Sequence, residues 1–108
     1  MAIAFQSITN TSAETVITYN YNGYDSMIFT NVHASSAVVM SLYIKARNSA
    51  GNATGVVVAY FLKNVKIPSG VSLKLENDEF SHNNNAHVLL ATIDVNGLNV
   101  ITRRKYDK

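Results

Sequence analysis

The sequence predicts an all-β protein, a single compact antiparallel β-sandwich of about eight strands, of jelly-roll or immunoglobulin-like type. Three observations predict this fold class. Apolar residues recur at every second position and seldom at the spacing of three and four that marks a helix face. Asn, Ser and Thr supply 31 of the 108 residues, and their side chains favour turns because they compete for nearby backbone groups. The helix formers Glu and Lys are few, and the length suits one domain spanning Met1 to Lys108.

The first three predicted strands lie before residue 34. Ala2 to Ile8 and Glu14 to Tyr19 are separated by the turn-forming sequence Asn10-Thr11-Ser12. A loop through Asn20 to Asp25 precedes the third predicted strand, Ser26 to His33.

The fourth predicted strand, Ala37 to Ala46, follows a short break at Ala34 to Ser36. Its even-numbered residues are all apolar and alternate with a more polar odd-numbered set, so we expect the even-numbered set to face the core. This set is Val38, Met40, Leu42 and Ile44.

The small polar stretch Arg47 to Gly55 predicts a protruding hairpin loop between two long strands. The strand after it, Val56 to Val65, has the strongest apolar pattern in the chain. Both of its faces are largely apolar, so we expect it to be central or covered on both sides.

Ile67-Pro68-Ser69-Gly70 predicts a tight connection to a strand that begins at Val71, since Pro fixes its own φ and Gly accepts positive φ. Asn77 to Ala86 is a second polar loop. The last two predicted strands, Val88 to Val95 and Leu98 to Arg103, flank Asn96-Gly97. That dipeptide predicts a two-residue hairpin turn with positive φ at both central positions.

Catalytic motifs are missing from the sequence. Without cysteine there is no thiolate nucleophile, and none of the serines lies in a Gly-x-Ser-x-Gly elbow. No glycine-rich phosphate loop occurs, and no two carboxylates have a spacing that indicates a general acid and a general base. We therefore expect that the protein has no enzymatic activity and binds no cofactor. A small hydrolase would need a serine, a histidine and an acid to converge in a cleft.

Metal binding has little support in the residue spacing. His33, His82 and His87 lack the regular spacing of a zinc motif, so we expect no metal there. The stretch Glu76 to Asn85 offers many oxygen ligands but not the ligand order of an EF-hand. The sequence does not decide whether this loop binds calcium.

Nucleic acid and membranes are not expected partners. The net charge is only +2, and the basic residues cluster at one place, formed by Arg103, Arg104, Lys105 and Lys108. No apolar run approaches 18 residues, and the first ten residues lack the pattern of a secretory signal.

Three tyrosines, Tyr19, Tyr21 and Tyr24, lie within six residues and alternate with Asn, Gly and Asp. Tyrosine offers a large contact area at low entropic cost, which suits a protein interface or a sugar-binding platform. The alternative is that these rings cap the end of the sandwich.

The segment Tyr60 to Leu75 contains Leu-Lys-Asn-Val, then Ile-Pro-x-Gly, then Ser-Leu-x-Leu. In this pattern the chain resembles small β-sandwich virion proteins of tailed bacteriophages, particularly those of marine phages (cyanophage type). The likeness extends back through Ile28 to Val32 and forward to Asn96-Gly97, and so covers roughly Thr15 to Arg103. The chain departs from the group in its longer polar loop, Ser81 to His87, and in its basic end.

The resemblance implies a non-enzymatic structural role, in capsid decoration or in the neck, tail or fibres, within a virion assembled in the host cytoplasm. The implied partners are other virion proteins and further copies of the chain. Because a sandwich has edge strands, Ala2 to Ile8 could add to a partner's sheet, and the basic end could dock on an acidic surface. The candidate interface residues are Tyr19, Tyr21, Tyr24, Arg47, Asn52, Arg103, Arg104 and Lys105.

An alternative function is a carbohydrate-binding β-sandwich, such as a receptor-binding or fibre module. It would use the tyrosine–asparagine loop and the loop from Glu76 to His87.

Overall fold

A computed structural model describes residues 3–17, 24–76 and 86–104 of the chain. This part of the chain is all-β and forms two packed antiparallel sheets, which confirms the predicted fold class. Each of the eight predicted strands is present. The strands are β1 (Ile3–Ile8), β2 (Thr15–Val16), β3 (Tyr24–Asn31), β4 (Val38–Arg47), β5 (Ala53–Ile67), β6 (Ser72–Glu76), β7 (His87–Ile93) and β8 (Leu98–Arg104).

The strand order decides between the two predicted sandwich types. Sheet A has the order β1-β8-β3-β6 and sheet B has the order β2-β7-β4-β5. The antiparallel pairs β1·β8, β2·β7, β3·β6 and β4·β5 are those of one long hairpin rolled on itself, and β3·β8 and β4·β7 complete the two sheets. This is a jelly roll, whereas an immunoglobulin-like domain groups its strands differently.

The last predicted hairpin is wrong, because β7 lies in sheet B and β8 in sheet A. Strand β7 already has β2 and β4 on its two sides, so no edge remains for β8. The chain instead crosses between the sheets, and Leu98 pairs with Ile8 on β1 and Asn31 on β3. Gly97 has φ +114°, but Asn96 has no positive φ, since Asn64 is the only such non-glycine residue in the described ranges.

The expected central position of the fifth strand is also wrong. β5 is 15 residues long and lies at the edge of sheet B, where β4 is its only described neighbour. The chain leaves β5 through the turn Pro68–Val71 and enters β6 in the other sheet, so nothing from the next strand covers that edge. Apolar residues on both faces of β5 therefore do not indicate burial.

Two predicted connections are present, although the first is shorter than Arg47 to Gly55, because Arg47 belongs to β4 and Ala53 to Gly55 belong to β5. The β4–β5 hairpin turns over residues 48–52, where the Asn48 side chain accepts hydrogen bonds from the backbone N–H groups of Ala50 and Asn52. Between β5 and β6, the N–H of Val71 donates to the carbonyl of Pro68 at 3.1 Å. Gly70 has φ +75° at the position of this turn that requires it.

The core lies between the two sheets. The even-numbered residues of β4 face it as predicted, and Val38, Met40 and Leu42 are fully buried there. From sheet A, Met27 and Phe29 pack against this layer. Burial of one such side chain stabilises the fold by about 1.5–3 kcal/mol, so the core fixes which face of each strand is left for function.

Candidate functional site

An uncharged apolar segment is exposed on β5. Val56, Val58 and Tyr60 are 83%, 55% and 45% exposed, and we call these three residues the β5 apolar segment. No charged residue occurs between Ala53 and Leu62. Exposed apolar side chains that lie close together are typical of interaction sites rather than of ordinary surface.

A second, smaller apolar cluster supports this segment from beneath. Tyr43, Val88 and Leu90 are buried together on the outer face of sheet B, and Val57 of β5 packs against them. The rings of Tyr43 and Tyr60 lie 5.4 Å apart, centroid to centroid, in a tilted arrangement. The β5 apolar segment is therefore held on a packed surface of the sandwich and not on a loop.

A polar network joins β4 to the residues just before β2. The Tyr43 hydroxyl donates to Glu14 Oε1 at 2.5 Å, and Lys45 Nζ lies 3.0 Å from the same oxygen. Burial acts to raise the pKa of Glu14, but the hydrogen bonds from Tyr43 and Lys45 and the charge of Lys45 outweigh it and lower the pKa. Burial and the bond to Glu14 raise the pKa of Tyr43 above its ordinary value. At neutral pH the carboxylate is therefore ionised and the phenol neutral.

This network borders a shallow groove of about 380 Å³. Its lining is rich in hydroxyl groups and contains Thr11, Ser12, Ala13, Glu14, Tyr43 and Thr92. Glu14 lines this groove while its carboxylate is engaged by Tyr43 and Lys45.

A second groove, of about 340 Å³, lies on sheet A. Phe5 forms one side and is 75% exposed. Beside it, the Ser7 hydroxyl donates to Asn99 Oδ1 at 3.0 Å. The remaining described lining residues are also uncharged, and they are Gln6, Thr30, Val100 and Ile101.

Arg47 and Asn52, two of the predicted interface residues, lie on the β4–β5 hairpin. Arg47 Nη1 donates to the carbonyl of Gly51 at 3.1 Å, so this guanidinium helps to hold the hairpin turn. Asn52 is exposed at the end of the turn.

The other predicted interface residues are only partly described. Tyr24 pairs with Arg104 across β3 and β8, and Arg103 pairs with Ser26, so the fold brings these backbone positions together. Nothing is described of the side chains of Tyr24, Arg103 and Arg104. Tyr19, Tyr21 and Lys105 lie outside the described residues.

The predictions about metals concern residues that are mostly undescribed. His33 Nδ1 accepts hydrogen bonds from the backbone N–H groups of Ser35 and Ser36, which fixes that ring in its own loop. His82 and nearly all of the proposed calcium loop lie outside the described residues. Among the described residues, no three of His, Cys, Asp and Glu form a group that could hold a metal ion.

Sequence reasoning missed both exposed apolar features. The apolar pattern of β5 predicts a covered strand, and the pattern of β1 predicts a strand without indicating that Phe5 is exposed. Phe5 shares a strand face with the polar Ser7, which could have indicated an exposed aromatic ring, but which face of β1 is covered depends on β8, more than 90 residues away in sequence.

No protein-family model, curated protein or solved structure matches this chain. In the described ranges, no helix is long and apolar enough to cross a membrane.

Proposed function

We propose that this protein is a non-enzymatic structural subunit of a bacteriophage virion, either a capsid decoration protein or a head–tail accessory subunit. It acts through protein–protein interfaces with other virion proteins and with copies of itself. The protein is a component of the virion, and the virion is assembled in the host cytoplasm.

The β5 apolar segment is the observation that carries this proposal. Covering its exposed valines by a partner is favourable at about 25 cal/mol for each Å² of apolar surface removed from water. Its position on a packed sheet means that little conformational entropy is lost when a partner binds. Exposed apolar side chains on a packed strand of this kind favour contact with another folded protein.

The jelly-roll fold is compatible with the proposal but does not decide it. Jelly rolls occur in viral capsid proteins and also in lectins, and fold alone does not imply function. The resemblance of Tyr60 to Leu75 to phage virion proteins favours the first of these roles. Arg47 and Asn52 flank the β5 apolar segment on the same hairpin, which supports their assignment to the interface.

The test uses particles of the phage that carries the gene. Particles from which the chain has been deleted are mixed with the purified protein, and bound copies are counted by quantitative mass spectrometry. The double variant Val56→Ser/Val58→Ser should lose at least about tenfold in occupancy, which corresponds to 1.4 kcal/mol. Absence of the wild-type chain from purified particles would overturn the proposal.

The matched control is Val32→Ser/Val71→Ser. These two valines are also exposed, at 54% and 44%, but neither belongs to the β5 apolar segment. This control should bind like the wild type. An equal loss of occupancy in both double variants would show that removing exposed valines anywhere on the surface weakens binding, and that the β5 apolar segment has no special role.

Carbohydrate binding is the second candidate, and the groove beside Phe5 favours it. An exposed ring next to hydroxyl and amide groups, without a charged residue in the described lining, suits a neutral sugar. A glycan array tests this candidate. Binding of a neutral glycan that Asn99→Ala abolishes, and that Val56→Ser/Val58→Ser leaves intact, would support it.

A further inference from the structure

In the described ranges four strands lie at the sheet edges, and three of them carry features that hinder pairing with a further strand. β2 has only two residues. β6 carries Lys74 and Glu76, which form an ion pair at 3.4 Å. β5 shifts register against β4 at four places and carries Lys63 and Lys66. Short length, charge and bulges are the ordinary devices by which proteins protect an edge.

The fourth edge, β1, has none of these devices. Its sequence, Ile-Ala-Phe-Gln-Ser-Ile, contains no charge, proline or glycine. All six residues pair with β8 without a register shift, so the strand is regular. In the described part of the chain β8 is its only neighbour, and alternate residues of β1 therefore direct their N–H and C=O groups to an open edge.

We propose that β1 pairs antiparallel with β1 of a second copy of this chain. Sheet A of the two copies then forms one continuous eight-stranded sheet across a twofold axis. Such an interface is isologous, since each copy contributes the same residues.

The chemistry of β1 identifies the partner as a second copy. Antiparallel self-pairing places identical or nearby residues opposite each other, so any charge on the strand would face a like charge. β1 is free of charge over its whole length. The absence of charge on β1 therefore favours a second copy of the same strand as the partner.

The side-chain alternation restricts the register in which β1 of one copy can pair with β1 of the other. On the face of β1 that points away from the core, Phe5 and Ser7 border the groove on sheet A, whereas Ile8 is fully buried on the other face. Paired residues must lie on the same face, and within that limit we place Phe5 opposite the partner's Phe5 and Ala4 opposite the partner's Gln6. Two exposed aromatic rings then cover each other at the centre of the interface.

The inference does not depend on the proposed role in a virion. Dimer formation is measured on the purified chain in solution, without phage particles. A monomeric chain that still occupies particles through β5 would overturn this inference alone.

The experiment is sedimentation equilibrium over a concentration series from micromolar to millimolar. The wild type should form a dimer. Phe5→Lys places like charges at the centre of the interface and should raise the dimer Kd at least about tenfold. An equimolar mixture of Phe5→Lys and Phe5→Glu should restore dimers, and only between the two variants, because the charges then attract across the axis.

The control is Val56→Lys, at an exposed position on β5, which should dimerise like the wild type. A wild type that stays monomeric throughout the series would overturn the proposal, as would dimers weakened by Val56→Lys and not by Phe5→Lys. Hydrogen exchange on the wild type gives a readout that needs no variant. Alternate amides of β1 should become protected as the concentration rises, and concentration-independent exchange would contradict the pairing.

Discussion

The side-chain amide of Asn31, fully buried at the end of β3, donates to the carbonyl oxygen of Ile67 at the end of β5, at 2.9 Å. The same nitrogen donates to the carbonyl of Ser36 at 2.8 Å, and the amide oxygen accepts from the N–H of His33 at 2.8 Å. Since β3 belongs to sheet A and β5 to sheet B, this one side chain joins the two sheets and the loop between β3 and β4.

Asn31→Ala should lower the free energy of unfolding by roughly 3 kcal/mol, because it leaves buried carbonyl and N–H groups without partners. Urea denaturation measures this change. Asn52→Ala, at an exposed position, is the control and should change stability little. A loss below about 1 kcal/mol for Asn31→Ala would mean that water replaces the amide.

Thr102→Val should stabilise the protein by roughly 1 kcal/mol. Thr102 is buried on β8, and its hydroxyl has no hydrogen-bond partner among the described residues. Valine has nearly the same shape and removes the desolvated hydroxyl. The comparison is Thr30→Val, which breaks an existing 2.7 Å hydrogen bond to Ser72 and should give no such gain. A lower stability of Thr102→Val would indicate that the Thr102 hydroxyl makes a hydrogen bond in the folded protein.

Stability should fall as the pH drops below about 4.5, the ordinary pKa of Glu14. The folded-state pKa of Glu14 is lowered, so its contribution is present above the unfolded pKa and is lost as the pH falls through the folded pKa. Thermal unfolding between about pH 6 and about pH 3, roughly the window in which carboxylates titrate, measures this loss of stability. Glu14→Gln should show a shallower loss than the wild type. An equal loss of stability at low pH in the wild type and in Glu14→Gln would contradict this role of Glu14.

Gly97→Ala should lower the free energy of unfolding by roughly 1–3 kcal/mol, the cost of a side chain in a sparsely populated backbone region. The cause is φ +114°, since an added Cβ would lie at an ordinary 3.5 Å from His33. Gly97→Asn should not recover the loss, because asparagine tolerates only the left-handed region near φ +57°. Gly70→Asn, at φ +75°, should be the milder substitution. Chemical denaturation of the three variants compares them, and equal losses at the two sites would contradict the backbone explanation.

Local pattern was enough to locate the strands. Alternation placed the even-numbered residues of β4 on the core face, and Ile67-Pro68-Ser69-Gly70 was correctly predicted as a turn. Both features depend on residues that are close in the sequence. The candidate surfaces differ in this respect, because the groove on sheet A brings Ser7 against Asn99, which is 92 residues away.

The sequence by itself determined that this protein is a β-sandwich, because period-two alternation and turn chemistry act within a few residues. Only the tertiary structure decided which sheet each strand joins. That choice left β5 and β1 at sheet edges, with Val56 and Phe5 exposed, and it separated β8 from β7. The physical reason is that burial of a strand depends on its neighbours in the sheet, and those neighbours are set by pairing between distant parts of the chain.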